Sequence, residues 1–178
     1  MRQTIKMEKT LDIRNLQHAD RVRGGVYGLL VGDALGVPCE FHDASEIPAE
    51  HEIEMAPPKG LRRAHSGVPI GTWSDDGAQA LCLLDTLSRD ATLNPDDFGT
   101  QLVSWYETGH MTPDGKVFDV GIQTRRALGA LKQGVEAMKA GPNGERDNGN
   151  GALMRCLPVV FARTPLRAVA SRQCYVAG

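Results

Sequence analysis

Apolar residues recur every three or four positions along most of the chain, a spacing that predicts helices rather than strands. The pattern predicts a first helix over residues 16–36 and a second over residues 75–89. A third is expected to follow Asn94, with Pro95 at the first helical position, and to stop at Gly109. Because the sequence contains no alternating β-branched segment, we expect an all-α fold.

Two more helices are expected in the C-terminal half of the chain. One follows the segment DVGIQT and ends at the GPNG segment that begins with Gly141. The last should run from Gly151 to about Ala162, with a kink near Pro158, which has no backbone N–H donor. The apolar positions that define the first of these two helices are Leu128, Leu131, Val135 and Met138.

The first predicted helix carries a stripe of glycines, although glycine destabilises a helix interior. A glycine stripe is tolerated where another backbone or a ligand approaches closely, so we expect this helix to lie deep in the fold. The stripe consists of Gly28, Gly32 and Gly36, and the apolar face consists of Val22, Val26, Leu29 and Leu30.

Residues 43–72 contain four prolines and show no sustained period. We interpret them as a long ordered loop with room for one helical turn. Loops of this length usually carry function.

Composition is ordinary for one soluble globular domain, with 178 residues of which 41% are hydrophobic and 24% charged. A formal net charge of -2 argues against general binding to nucleic acid or to an anionic membrane. The four cysteines form no CxxC pair, so reduced thiols are expected. No apolar run approaches the ~20 residues that a membrane span needs, and we expect a cytoplasmic protein.

The segment TWSDDG places Ser74, Asp75 and Asp76 at the start of the second predicted helix. A serine cap followed by acidic residues is how many helices begin, so a purely structural role stays open. In a functional role, the hydroxyl and the two carboxylates are hard oxygen ligands that suit Mg²⁺ or Mn²⁺. Adjacent carboxylates at a helix start point in different directions and can hold two ions.

The segment GDALGVPCEF adds two acidic residues at the end of the first predicted helix. Asp33 is either part of a site or a buried polar residue satisfied by nearby backbone amides. Glu40 is either part of a site or an ordinary surface acid. The local sequence does not separate these alternatives.

The segment DNGNGALMR, residues 147–155, is a glycine-rich loop that opens a helix. Free amides at such a position accept phosphate or pyrophosphate, although a plain turn between two helices has the same composition. The loop has no GK[ST] ending, so it is not a P-loop. The five histidines show no spacing typical of a zinc protease, which favours structural or solvated roles.

Four segments, in this order, resemble the ADP-ribosylglycohydrolase family, which includes the dinitrogenase-reductase-activating glycohydrolases. They are RGGVYGLLVGDALGVPCEF, GTWSDDGAQALCLLDTL, VFDVGIQTRRAL and GNGALMRCLPV, within residues 23–160. The resemblance implies an all-α orthogonal helical bundle. It also implies a binuclear Mg²⁺ or Mn²⁺ centre at the base of a cleft that binds ADP-ribose.

The resemblance assigns roles to particular residues of this chain. Ser74, Asp75 and Asp76 match the family's first metal-ligand cluster, and Glu40 matches an acid beside the metals and the scissile bond. Glu40, Asp75 and Asp76 are therefore the expected catalytic residues. The expected substrate-binding residues are Asp119, Gly121, Asn148, Gly149, Asn150, Gly151, Ala152, Met154 and Arg155.

The resemblance stops before the family's second metal-ligand cluster, an Asp-x-Asp followed by Thr or Ser. The last acidic residue of this chain is Asp147, and residues 162–178 look divergent. We therefore expect a single domain over residues 1–178 that is incomplete at its C-terminus. The second ligand cluster is not present in this chain.

The expected activity is metal-dependent hydrolysis of the glycosidic bond between ADP-ribose and a protein side chain. An alternative is an inactive relative that binds ADP-ribose or has only a structural role, which the missing cluster favours. A third reading is hydrolysis of a small ADP-ribosyl compound. The expected partner is ADP-ribose or an ADP-ribosylated protein, and the sequence does not predict an oligomeric state.

Overall fold

A computed structural model describes residues 17–89 and 93–161, and the regular structure within these ranges is helical, with no strand. The expected all-α fold is confirmed. Four helices of several turns are followed by shorter elements. They are α1 (His18–Gly36), α2 (Asp75–Arg89), α3 (Pro95–Thr108) and α4 (Ile122–Lys132), then the single turns α5 (Ala137–Ala140) and α6 (Gly151–Met154), with 3-10 turns at Val37–Cys39, Glu50–Glu52 and Leu157–Phe161.

Helix α2 lies at the centre of the molecule and contacts α1, α3, α6 and the turn Leu157–Phe161. Its sequence is apolar on most sides, and the structure buries it accordingly. Large side chains of α3 pack against it, among them the fully buried Phe98, Leu102 and Trp105. Truncating a core leucine such as Leu83 typically lowers the free energy of unfolding by about 2 to 5 kcal/mol. This packing therefore holds α2 firmly in the core.

Helix α3 has the bounds that its sequence predicts. The Asn94 side chain accepts hydrogen bonds from the backbone N–H groups of Asp96 and Asp97 at 3.1 and 3.3 Å. At the other end, Gly109 takes a left-handed conformation with φ 71° and donates its N–H to the Trp105 carbonyl. Both ends are therefore closed by the cap residues that the sequence indicated.

The single helix expected up to Gly141 is wrong, because it is divided into α4 and α5. Gly134 has φ 83°, which a continuing helix does not allow. The N–H of Gly134 bonds to the Leu131 carbonyl, and the N–H of Val135 bonds to the Ala130 carbonyl. This is the Schellman arrangement, which closes α4 at a glycine.

The last predicted helix is also wrong in length, since α6 is only one turn long. Pro158 has no N–H to donate to the Met154 carbonyl, and its ring clashes with that carbonyl in a continuous helix. The chain therefore leaves α6 at Arg155 and resumes as the 3-10 turn Leu157–Phe161. The expected end at Ala162 lies outside the described residues.

Helix α1 does not lie deep in the fold that the structure describes. A Cβ added at any glycine of the predicted stripe would meet no atom within 4 Å, and Ala34 is the buried residue of this helix. Tyr27 and Val31 are 66% and 47% exposed. The half-buried apolar face, with Val22, Leu29 and Leu30 among its members, is the one turned away from solvent.

Residues 43–72 form an ordered loop with one short turn at Glu50–Glu52, as predicted. Among the described cysteines, Cys39, Cys82 and Cys156 are free thiols. Within residues 17–89 and 93–161, every helix is too short or too polar to cross a bilayer.

Candidate active site

The site is built around the first turn of α2, which Ser74 caps. The Ser74 carbonyl accepts the Ala78 N–H, and its Oγ accepts the Asp76 N–H at 3.3 Å. The same hydroxyl donates to Asp33 Oδ1 at 2.8 Å. The expected cap is therefore present, and it also joins α2 to α1.

Asp33 holds the start of α2 from the end of α1. Its Oδ2 accepts the backbone N–H groups of Ser74 and Gly77 at 2.9 and 2.8 Å. The Asp33 carboxylate can approach the backbone at position 77 because this residue is glycine. A Cβ there would lie 2.9 Å from Asp33 Oδ2. Asp33 is half-buried and satisfied by backbone amides, and it also lines a cavity with Glu40 and Asp76, so both interpretations of it stay open.

Asp75 and Asp76 lie in an environment that disfavours their ionised forms. Asp75 is 5% exposed, and burial together with the charges of Asp76 and Asp119 raises its pKa to about 8. Burial and the charges of Asp33 and Asp119 raise the pKa of Asp76 to about 6, against the opposing charge of Arg155. In the absence of a cation, the site therefore resists carrying all of its negative charges at neutral pH.

Glu40 follows the 3-10 turn Val37–Cys39 and meets the loop at His65. The distance between Glu40 Oε2 and His65 Nε2 is 2.6 Å, and the His65 ring contacts Phe41 and Phe118. Burial raises the pKa of Glu40, and the bond to His65 opposes that shift. Glu40 is half-buried within an acidic cluster, so the interpretation as an ordinary surface acid is wrong.

Asp119 completes the cluster from the segment between α3 and α4. Its backbone is left-handed, with φ 52°, a conformation that aspartate adopts more readily than most residues. Ligand atoms of Glu40, His65 and Asp119 lie within 4.8 Å of one another. The negative charge of Asp119 raises the pKa values of Asp33, Glu40, Asp75 and Asp76.

Asp75 and Asp76 line two different cavities. Asp75 lines a cavity of about 230 Å³, while Asp76 lines one of about 400 Å³ together with Asp33 and Glu40. The two carboxylates therefore face different spaces, as expected for adjacent residues at a helix start.

The glycine-rich loop contributes half of the other residues that line the smaller cavity. Apart from Asp75, the wall of this cavity contains Gly121, Ile122, Gln123, Thr124, Gly149, Asn150, Gly151 and Met154. Asn148 and Ala152 flank these loop residues in the sequence. Five of the nine residues predicted to bind substrate thus meet Asp75 around one space.

Arg155 was predicted to bind substrate, but its side chain is fully buried and does not line the cavity. Its guanidinium donates to Gln79 Oε1, and Gln79 Nε2 donates to Asp75 Oδ2 at 3.1 Å. The guanidinium also lies 5.9 Å from the ring centre of Phe98. In this structure Arg155 supports Asp75 from inside the core rather than lining the cavity.

Sequence reasoning missed three residues that border the acidic cluster or the smaller cavity, namely His65, Gln123 and Thr124. His65 was grouped with the structural or solvated histidines, although it lies in the long loop expected to carry function. Gln123 and Thr124 belong to the DVGIQT segment, in which only Asp119 and Gly121 were singled out. The position of His65 in that loop was the one available signal for it.

The donor set suits a hard divalent cation. Several carboxylates lie within electrostatic range of one another, and the raised pKa values of Asp75 and Asp76 mark charge that a bound cation would neutralise. Among the described residues, the ligand atoms close enough together to hold one ion belong to Glu40, His65 and Asp119. A cation held by Ser74, Asp75 and Asp76 stays a prediction. One histidine among several carboxylates does not resemble a zinc site.

Comparison with known proteins decides the family. Residues 14–176 match the family model described as ADP-ribosylglycohydrolase. This chain belongs to the ADP-ribosylglycohydrolase family. The match extends beyond residues 23–160 in both directions, so it takes in most of the tail that the four motifs left out.

Two curated relatives illustrate the similarity. The chain is 35% identical over 157 residues to the ADP-ribosylarginine hydrolase Tri1 of Pseudomonas putida, covering 85% of this chain and 39% of the relative. It is 32% identical over 148 residues to the ADP-ribosyl-[dinitrogen reductase] glycohydrolase of Rhodospirillum rubrum, covering 80% and 45% respectively. The chain therefore spans less than half the length of these relatives.

Proposed function

We propose that this chain acts in the hydrolysis of the glycosidic bond that joins ADP-ribose to a protein side chain, with Mg²⁺ or Mn²⁺ as cofactor. The observation that carries the proposal is that Asp75 shares a cavity with the glycine-rich loop and lies within electrostatic range of Asp76, Glu40 and Asp119. An acidic cluster beside a phosphate-binding loop suits a ligand that is both a sugar and a diphosphate. Family membership supports the same reaction class.

The bound cation would supply positive charge that orients ribose hydroxyls and lowers the pKa of a bound water. The chain's own residues then have defined tasks. Glu40 accepts a proton from the attacking water, whose oxygen bonds to the anomeric carbon as the bond to the leaving atom breaks. The proton passes on to the leaving atom, so the products are ADP-ribose and the free side chain.

His65 and Asp33 act around these groups rather than on the substrate. The bond from His65 fixes the orientation of the Glu40 carboxylate at the edge of the cluster. Asp33 fixes the first turn of α2, and with it the directions of Asp75 and Asp76. Arg155 and Gln79 hold Asp75 from the core side.

Arginine is the first linkage to test, because the Pseudomonas putida relative is an ADP-ribosylarginine hydrolase. The experiment pairs calorimetric titration of ADP-ribose, with and without Mg²⁺, with an assay of ADP-ribose release from an ADP-ribosylated arginine peptide. Binding that tightens with Mg²⁺, together with release of ADP-ribose, supports the proposal. Absence of binding in both conditions contradicts it.

A second candidate is binding of ADP-ribose without hydrolysis. Residues 148–178 contain no Asp or Glu, so this stretch adds no carboxylate to Glu40, Asp75, Asp76 and Asp119. Binding of ADP-ribose with no release of product from the modified peptide, in the presence of either metal, would favour this candidate over the enzyme.

A further inference from the structure

Two side chains on one face of α4 hold the glycine-rich loop. The Gly149 N–H donates to Gln123 Oε1 at 2.7 Å, and Arg126 Nη1 donates to Asp147 Oδ1 at 3.5 Å. Gln123 and Arg126 are three residues apart, so they project from the same side of the helix. Helix α4 thus fixes the loop at two nearby points.

Asp147 also folds the start of the loop onto itself. Its Oδ2 accepts the Gly144 N–H at 2.8 Å, and its own N–H donates to the Gly144 carbonyl at 2.9 Å. One carboxylate therefore joins the turn before the loop to the Arg126 side chain. A movement of this turn would be transmitted to the attachment on α4.

The contact between Gly149 and Gln123 depends on a close approach of the loop backbone to α4, which glycine permits because it has no side chain. A Cβ added at Gly149 would overlap Gln123 Oε1. The absence of a side chain brings the loop backbone against α4, and the Gln123 amide then accepts its N–H group. This fit explains one glycine of the NGNG segment by a contact within the protein.

Gln123 borders the same cavity as the loop and Asp75. The bond between Gln123 and Gly149 therefore sets how far the loop backbone lies from the acidic pair of α2. That spacing matters for a ligand that must place its diphosphate against the loop and its ribose against the acids.

We infer that Gln123 and Arg126 are positioning residues that hold the loop from Asp147 to Gly151 in the form that receives the diphosphate of ADP-ribose. The inference rests on the proposed function. A loop fixed before binding loses less conformational entropy when the ligand arrives, so the contacts on α4 increase affinity.

The test substitutes Gln123→Leu, which keeps the approximate size of the side chain and removes the acceptor. Loss of one hydrogen bond of this kind is expected to speed exchange of the Gly149 amide hydrogen and to weaken ADP-ribose binding, each by about 10-fold. Exchange is followed by NMR in the ligand-free protein, and affinity by calorimetry with ADP-ribose.

Gln133→Leu is the matched control, because Gln133 is exposed at the far end of α4. It should change neither exchange at Gly149 nor affinity. Gln123→Glu keeps an oxygen acceptor and should restore slow exchange at Gly149. A general loss of packing would not be rescued in this way.

Arg126→Gln provides a second route that does not alter the lining of the cavity. Its control is Lys132→Gln, because Lys132 pairs with Glu107 at the far end of α4. Arg126→Gln should weaken ADP-ribose binding, and Lys132→Gln should leave it unchanged.

Unchanged exchange at Gly149 in Gln123→Leu overturns the inference, as does faster exchange with undiminished affinity. Failure of the unsubstituted protein to bind ADP-ribose overturns the proposed function and the ligand role of these residues with it. Binding by the unsubstituted protein and equal binding by Gln123→Leu and Arg126→Gln overturns the positioning role alone.

Discussion

Helices α2 and α3 begin with nearly the same local sequence and have different surroundings. Each has a capping residue, Ser74 or Asn94, followed by two adjacent aspartates in the first turn. Among the described residues, the Asn94 side chain bonds to the first turn of its own helix, and Asp96 is exposed. In α2 the cap also bonds to α1, and Asp75 is buried.

The surroundings give the two acidic pairs different chemistry. Asp97 accepts from Arg89 at 2.9 Å and from Thr86 at 2.8 Å, so its charge is compensated on the surface. Asp75 lies among other acids, and its pKa rises to about 8. An acidic pair at a helix start therefore indicates a cation site only when tertiary packing adds further carboxylates, and α3 supplies matched controls for every test of α2.

The largest expected effect is on hydrolysis. Asp76→Asn should lower the rate of ADP-ribose release by on the order of 100-fold or more, because a charged ligand for the cation is lost. Asp96→Asn removes a charge from the equivalent helix position and should leave the rate unchanged. Equal rates in the two variants, measured with saturating Mg²⁺, would remove the functional distinction between the helices.

The next effect is on stability. Asp33→Ala removes an acceptor of three hydrogen bonds at the start of α2. The free energy of unfolding should fall by about 2 to 4 kcal/mol, since bonds to a charged acceptor are among the stronger ones. Urea unfolding at neutral pH measures the loss, and a change below that caused by Asn94→Ala would contradict the role given to Asp33.

The third effect is a dependence of stability on pH in the metal-free protein. The folded pKa of Asp75, about 8, lies above its ordinary value of 3.8, so between these values the folded state binds more protons than the unfolded state. Stability contributed by this group is therefore present at low pH and is lost as the pH rises towards about 8. The raised pKa of Asp76, about 6, acts in the same direction over a narrower range.

Thermal unfolding at several pH values, with and without Mg²⁺, measures this dependence. Added Mg²⁺ should stabilise the protein most at high pH, where the carboxylates are ionised. Asp75→Asn should flatten the metal-free profile, whereas Asp96→Asn should leave its slope unchanged. If the metal-free protein instead gains stability between about pH 5 and 8, repulsion among the ionised carboxylates around Asp75 does not destabilise the fold, and the prediction is wrong.

The smallest effect concerns the cap of α3. Asn94→Ala should lower the free energy of unfolding by about 1 kcal/mol, the typical cost of losing a side-chain cap. ADP-ribose affinity should not change, because α3 contributes no residue to either cavity at the site. A loss of affinity in this variant would mean that the two helix starts are coupled.

Much of the fold could be predicted from the sequence where the signals are local. Asn94, Pro95 and Gly109 set the bounds of α3, and the apolar positions of α2 set both its length and its burial. These features are encoded within a few residues of where they act. The family motifs added the site residues, and those at Glu40 and Asp75 meet in one acidic cluster.

Other features depend on contacts that are distant in the sequence or on a single backbone angle. Periodicity continued through Gly134 although its positive φ ends α4, and it continued past Pro158 although the missing N–H ends α6. His65 meets Glu40 across 25 positions of an aperiodic loop. Whether another element packs against the glycine stripe of α1 depends on residues that are distant in the sequence, and the local pattern does not indicate them.

The measurement that tests the central claim most directly is a titration with Mn²⁺, with the free ion followed by electron paramagnetic resonance. The account predicts that the unsubstituted protein binds Mn²⁺, that Asp75→Asn and Asp76→Asn weaken binding by about 10-fold to 100-fold, and that Asp96→Asn binds as the unsubstituted protein does. Equal binding by all four folded proteins, or no binding by any of them, would contradict a cation site at the start of α2.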